Sequence, residues 1–192
     1  MATRGVKHIM VHVLLTGTPG TGKTVIASAL SKETGLKIIH INEEVGEDYL
    51  YIEDGSKVVD LKKLSKKIKG KLEGDCIIEG HLAQLLDIEG VVIVLRTHPG
   101  ELGGRLLKKG FSGDKLEENL EAEALDIILI ESLESHDEVY EIDTTGQKPT
   151  AVAKSIMRIL KGEGSDFKPG RIDWLEEYLD SREAGGEHGH CD

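Results

Sequence analysis

Residues 17–24 read Gly-Thr-Pro-Gly-Thr-Gly-Lys-Thr and follow a mostly apolar run from Ile9 to Leu15. This is a complete G-x-x-x-x-G-K-[ST] phosphate loop. Gly17, Gly20 and Gly22 let the backbone wrap, so that successive N–H groups converge on phosphate oxygens. Lys23 brings a point charge to the β and γ phosphates, and the Thr24 hydroxyl is a natural Mg²⁺ ligand. A helix from about Lys23 to Glu33 would aim its positive end at the same anion. The alternative is a chance glycine loop, and the apolar runs on both sides argue against it. The pattern implies a nucleoside triphosphate site. It does not separate small kinases, GTPases and AAA-type ATPases, although 192 residues is short for the last.

A second constellation is Cys76-Ile77-Ile78-Glu79-Gly80-His81. An acid at the carboxyl end of a buried strand is the other half of a phosphate-loop site, holding the Mg²⁺ water shell or polarising a nucleophile. A strand that simply ends in a charged turn is the competing reading for Glu79, and a structural or exposed imidazole is the competing reading for His81. Arg96, Arg105, Lys108 and Lys109 form a third group. Such cations cover a transferring phosphoryl group, or they decorate a solvated helix face. The lysines 62, 63, 66, 67, 69 and 71 surround the apolar stripe of Leu61 to Leu72. They read first as a solvated face and second as a patch for RNA phosphate. Glu117, Glu118, Glu121, Glu123 and Asp126 have the reverse sign and could face a basic protein. His188, His190 and Cys191 could bind metal only adventitiously.

These residues need elements to hold them, and strand and helix signals alternate along the chain. Five strands are predicted: His8–Leu15, Lys37–Ile41, Asp75–Glu79, Val91–Leu95 and Glu138–Asp143, the last a more polar edge. Helical spacing recurs at Leu61, Leu64, Ile68 and Leu72, at Leu116, Leu120, Ala124 and Ile127, and from Thr150 to Leu160. The pattern predicts one α/β domain over residues 1–183, a mostly parallel five-stranded sheet with helices on both faces. An amphipathic segment, Ile172 to Leu179, carries Trp174 and should dock back on the body. The glycine-rich, polar residues 184–192 should be disordered.

A net charge of −11 argues against a broadly basic nucleic-acid surface. Two cysteines form no disulfide framework and fit a reducing interior. No stretch approaches the ~20 apolar residues of a membrane span. These features predict a soluble, cytoplasmic protein.

The residues in order then become recognisable: Leu14 to Gly20, Thr34-Gly35-Leu36-Lys37, Val58-Val59-Asp60, Glu79-Gly80-His81, Val94 to Thr97, Arg105-Leu106, Gly110-Phe111, Lys115 through Asn119, and Lys148-Pro149. Together they resemble the adenylate kinase isoenzyme six family, the coilin-interacting nuclear ATPases, in an archaeal-type form. The resemblance implies a P-loop NTPase of the nucleoside-monophosphate-kinase fold, using Mg²⁺ with ATP, and having both adenylate kinase and ATPase activity on ATP and AMP. It implies a role in small ribosomal subunit maturation through a platform ribosomal protein. By motif, ATP phosphates fall to Gly20, Gly22, Lys23, Thr24 and Val25. Glu79 and His81 match the acid-x-His turn, Lys109 the lid cation, and Lys148 the base-contacting loop. The acceptor segment falls at about 40–60 and a short lid at about 105–118. Neither arginine nor lysine occurs between Lys37 and Lys57. A dianionic AMP phosphate would then have only His40 or lysines of the next helix, so AMP is expected to be a poor acceptor.

Overall fold

The computed structural model describes residues 12–53 and 56–186. Five short strands form the central sheet, all but β2 fully or largely buried: β1 (Val13–Thr16), β2 (Lys37–His40), β5 (Cys76–Glu79), β6 (Val91–Arg96) and β7 (Val139–Asp143). Their order is β2-β5-β1-β6-β7, with every pairing parallel. The β-branched runs explain this, since strands covered on both faces need apolar side chains pointing both ways. The polar last strand lies at an edge, as its composition predicts. Residues 8–11 of the expected first strand lie outside the described residues.

Between β1 and β2 runs α1 (Lys23–Thr34), which packs with α7 (Pro149–Leu160) on one face of the sheet. Ile26, Leu30, Val152 and Ile156 build the core there. On the other face α2 (Ile41–Val45), α3 (Leu61–Lys69) and α6 (Ile127–Ser135) bury Val45, Leu64, Ile68 and Leu129. Asp60 starts α3 by accepting the Lys63 N–H at 3.0 Å. Pro99 and Pro149 occupy the first turns of α4 (Pro99–Lys108) and α7, where a missing N–H costs nothing.

The segment expected to hold the acceptor contains the helix α2 and an antiparallel hairpin, β3 (Tyr51–Glu53) with β4 (Ser56–Val58). Two local expectations are corrected. The helix expected to run through Ile127 stops as α5 (Asp114–Ala124), because Asp126 adopts φ 58° and redirects the chain into α6. The final helix α8 (Leu175–Gly186) continues three residues into the stretch expected to be disordered. Residues 187–192, with His188, His190 and Cys191, lie outside the described residues. As expected, Trp174 docks, meeting His98 edge to face at 4.9 Å between centroids, while Glu177 takes His98 Nε2 at 2.7 Å. Among the described residues no helix is long and apolar enough to cross a membrane.

Candidate active site

β1 ends beneath a loop whose conformation only glycine can hold. A Cβ on Gly17, at φ 138°, would collide with the Leu95 carbonyl oxygen of the neighbouring strand. Gly22, at φ 95°, turns the chain into α1. Lys23 folds back over the loop, donating to the Gly17 carbonyl at 2.7 Å and the Thr18 carbonyl at 3.1 Å. Desolvation lowers its pKa to about 8 against the opposing pull of Glu79. A cation held so reluctantly favours a polyanion that would restore its charge.

β5 delivers Glu79 beside the loop. The residue is buried, and its two carboxylate oxygens lie 3.4 Å and 3.5 Å from the Thr24 hydroxyl. His40, its register partner on β2, holds Glu79 Oε1 at 2.7 Å through Nδ1. Spacing alone did not reveal this contact, which parallel register creates. Gly80 then turns the chain, its N–H donating to the Leu15 carbonyl at 3.1 Å, and places an exposed His81 at the cleft rim. Desolvation in the cleft and the Lys23 charge hold the imidazole below its ordinary pKa, with Glu79 opposing.

The loop, Glu79 and His81 open into one cleft of about 900 Å³. Gly20, Gly22, Lys23, Thr24, Val25, Glu79, His81 and Lys109 all line it, so the fold brings together most of the residues singled out by spacing. Arg105 and Lys148 do not. Arg105, expected over the phosphates, braces the loop from behind: it donates to the Gly20 and Thr144 carbonyls, each at 3.3 Å, and pairs with Glu101. Lys148 precedes α7, outside the lining.

Arg96 is also corrected. It is 2% exposed, at the end of a strand buried on both sides, and pairs with Glu123 at 2.9 Å, with Glu141 at 3.5 Å and with Asp126. Burial alone would lower its pKa, but the Glu123 and Asp126 carboxylates raise it. It is a structural cation that ties α5 to the sheet. This also removes Glu123 and Asp126 from the acidic face expected to meet a basic partner, and Glu117 is bound to Arg182 at 2.6 Å. The lysine-rich α3 is similarly occupied. Lys63 meets Asp48, Lys69 meets Asp87, and Lys71 meets Glu44, at 2.6 to 2.7 Å.

The fold adds residues that spacing did not reveal. Lys57, on β4, lines the cleft beside Asn42, Val45 and Val59, its ammonium on the Gly46 carbonyl and 4.8 Å from the Tyr49 ring. The acceptor side therefore has a cation, just beyond the gap between Lys37 and Lys57. Lys115 and Asn119 of α5, and Gln84 and Glu131, complete the opposite wall.

A family model described as an AAA domain matches residues 13–126. Length had argued against an AAA-type ATPase, and the chain nevertheless matches a domain model of that name over more than half of its residues. Among solved structures, shikimate kinase from Acinetobacter baumannii aligns with 81% of this chain and 96% of its own at TM-score 0.60 and 15% identity. The YorR protein of Bacillus subtilis aligns at 0.56 and 19%, covering 80% and 97%. At such identities these similarities establish the fold alone, that of the P-loop kinases. A protein named "Putative adenylate kinase" from Archaeoglobus fulgidus is 44% identical, covering 88% of this chain and 94% of the relative. One of the same name from Methanosarcina barkeri is 41% identical, covering 84% and 96%. The chain belongs to the same family as these archaeal proteins, the family named for adenylate kinase.

Proposed function

We propose that the protein is an adenylate-kinase-like phosphotransferase that moves the γ-phosphoryl group of ATP to a nucleoside monophosphate, AMP among them. The observation that carries this is the meeting of Thr24 and Glu79 at the mouth of the Lys23 loop, in a cleft with room for a second ligand. Thr24 and Glu79 offer hard oxygen donors, the set that suits Mg²⁺ with several retained waters. When bound, Mg²⁺ supplies charge neutralisation between the β and γ phosphates. The chain's own groups do the rest. Loop N–H groups and Lys23 hold the triphosphate, and Lys109 reaches the cleft from the end of α4. His81 stands where it can orient the attacking hydroxyl or water. Lys57 is the cation nearest the acceptor segment.

We infer, from the resemblance between Val13 and Leu160, that the protein is the archaeal-type counterpart of the isoenzyme six family. On that reading it also hydrolyses ATP and acts inside the cell in small-subunit maturation with a platform ribosomal protein. Glu117 and Glu123 of α5 are paired within the fold, so such a partner, docking there, would meet the exposed Glu118 and Glu121. Contact with pre-ribosomal RNA would fall to Lys62 and Lys66, the exposed lysines of α3 that make no ion pair among the described residues.

Product analysis with Mg·ATP, with and without AMP, tests the activity. Two ADP formed per AMP consumed, at a rate rising with AMP, is the expected result. ADP and free phosphate in equal amounts at every AMP concentration would identify an ATPase instead.

A further inference from the structure

One wall of the cleft continues the core formed by α2, α3 and α6, and two polar side chains stand there among Leu82, Leu85, Ile127 and Ile128. Gln84, in the 3-10 turn after β5, is 1% exposed; Glu131, on α6, is half-buried. The Thr16 hydroxyl donates to Gln84 Oε1 at 2.5 Å, and Gln84 Nε2 donates to Glu131 Oε2 at 2.9 Å. The orientation of this amide follows from chemistry, because an ionised carboxylate only accepts and the NH₂ must face it. Neither Gln84 nor Glu131 belongs to the phosphate loop or contacts the Thr24–Glu79 pair. A carboxylate has more acceptor sites than this one bond uses. In a partly apolar wall it therefore attracts a ligand bearing N–H groups, and it penalises one that turns an oxygen toward it.

The geometry points to Glu131, fixed by Gln84, as the group that reads the acceptor's base and selects one with an exocyclic amine on its hydrogen-bonding edge. This rests on the kinase reading above and names its acceptor class. Adenine through N6 and cytosine through N4 donate to a carboxylate. Hypoxanthine and uracil place a carbonyl oxygen at the same position. Apolar neighbours at Ile127 and Ile128 suit the faces of a planar ring, and Lys57, lining the same cleft, suits its phosphate. Thr16 immediately precedes Gly17, so the bonded chain from Thr16 through Gln84 to Glu131 holds this wall in register with the phosphate loop.

The test compares AMP with IMP, and CMP with UMP, each pair differing at the position read. Steady-state kcat/KM with Mg·ATP is measured for the wild type and for Glu131→Gln. Calorimetric binding of the same four monophosphates is measured with a non-hydrolysable ATP analogue present. The wild type should prefer the amino member of each pair by about a hundredfold or more. In Glu131→Gln the ratio should collapse to within a few-fold, since an amide both donates and accepts, while thermal unfolding stays cooperative at an unchanged midpoint. A ratio unaltered by the substitution, wild-type indifference within each pair, or no binding of any monophosphate would overturn the base-reading role. Discriminating binding without phosphoryl transfer would sustain that role and remove the kinase reading instead.

Discussion

His40 Nδ1 lies 2.7 Å from Glu79 Oε1, across adjacent parallel strands, at the residue where β2 passes into α2. The carboxylate proposed to face Mg²⁺ is thus oriented from the acceptor side of the cleft. His40→Ala should lower turnover roughly 10- to 100-fold and raise the Mg²⁺ concentration needed for half-maximal rate. Binding of metal-free ATP should be unaffected. A Mg²⁺ titration overlaying that of the wild type would show that His40 does not position Glu79.

Lys23, with its pKa lowered to about 8, is partly neutral in the free protein above that pH. A triphosphate favours its charged form, so ATP binding near pH 8.5 should take up protons, and affinity should fall as pH rises through 8. Calorimetry in buffers of different ionisation enthalpy reads this directly. The folded pKa lies below the unfolded one, so Lys23 destabilises the free fold fully below pH 8, and the penalty fades as pH rises toward 10.5. Lys23→Met should accordingly abolish turnover yet raise the melting temperature of the free protein at pH 7.

His81→Ala should reduce transfer by roughly 10²-fold with little change in ATP affinity. Because desolvation and the Lys23 charge hold the ring's pKa below its ordinary value, its own contribution to the rate should be lost on the acid side of the ordinary histidine range, separately from the alkaline loss due to Lys23. A variant with normal turnover and reduced thermal stability would assign this histidine a structural role.

Lys57→Met should raise the KM for AMP about tenfold or more and leave the KM for ATP unchanged, the pattern of a lost acceptor contact. Equal effects on both nucleotides would place Lys57 outside the acceptor site.

Arg96→Met should cost about 3–5 kcal/mol in urea unfolding, because Glu123 and Glu141 would remain buried without their cation. A shift within experimental error would mean that the cluster relaxes to admit water.

The phosphate loop and Glu79-Gly80-His81 were readable because their chemistry is contiguous, and a strand immediately precedes each. The parallel sheet followed from short apolar runs such as Val91 to Leu95. What escaped depends on contacts between distant residues. Arg96 looked like a phosphate cation because charge is visible in a chain while burial is not. Its partners Glu123 and Glu141 arrive from a helix and another strand. Lys57 escaped because a three-residue strand has no periodicity to place it. The Gln84–Glu131 pair spans 47 positions.

The Arg96 cluster gathers more than α5. Glu141 also accepts the Arg171 and Ile172 N–H groups at 2.7 and 3.2 Å, so β6, β7, α5 and the C-terminal segment converge on one buried charge. The wall carrying Lys115 and Asn119 is thereby anchored to the sheet at the C-terminal end of α5. On the acceptor side, Leu50 and the β3 residues Tyr51 and Ile52 are more than half exposed. One side of the cleft is thus tied to the sheet through a buried charge network, while apolar side chains on the other side lie open to solvent.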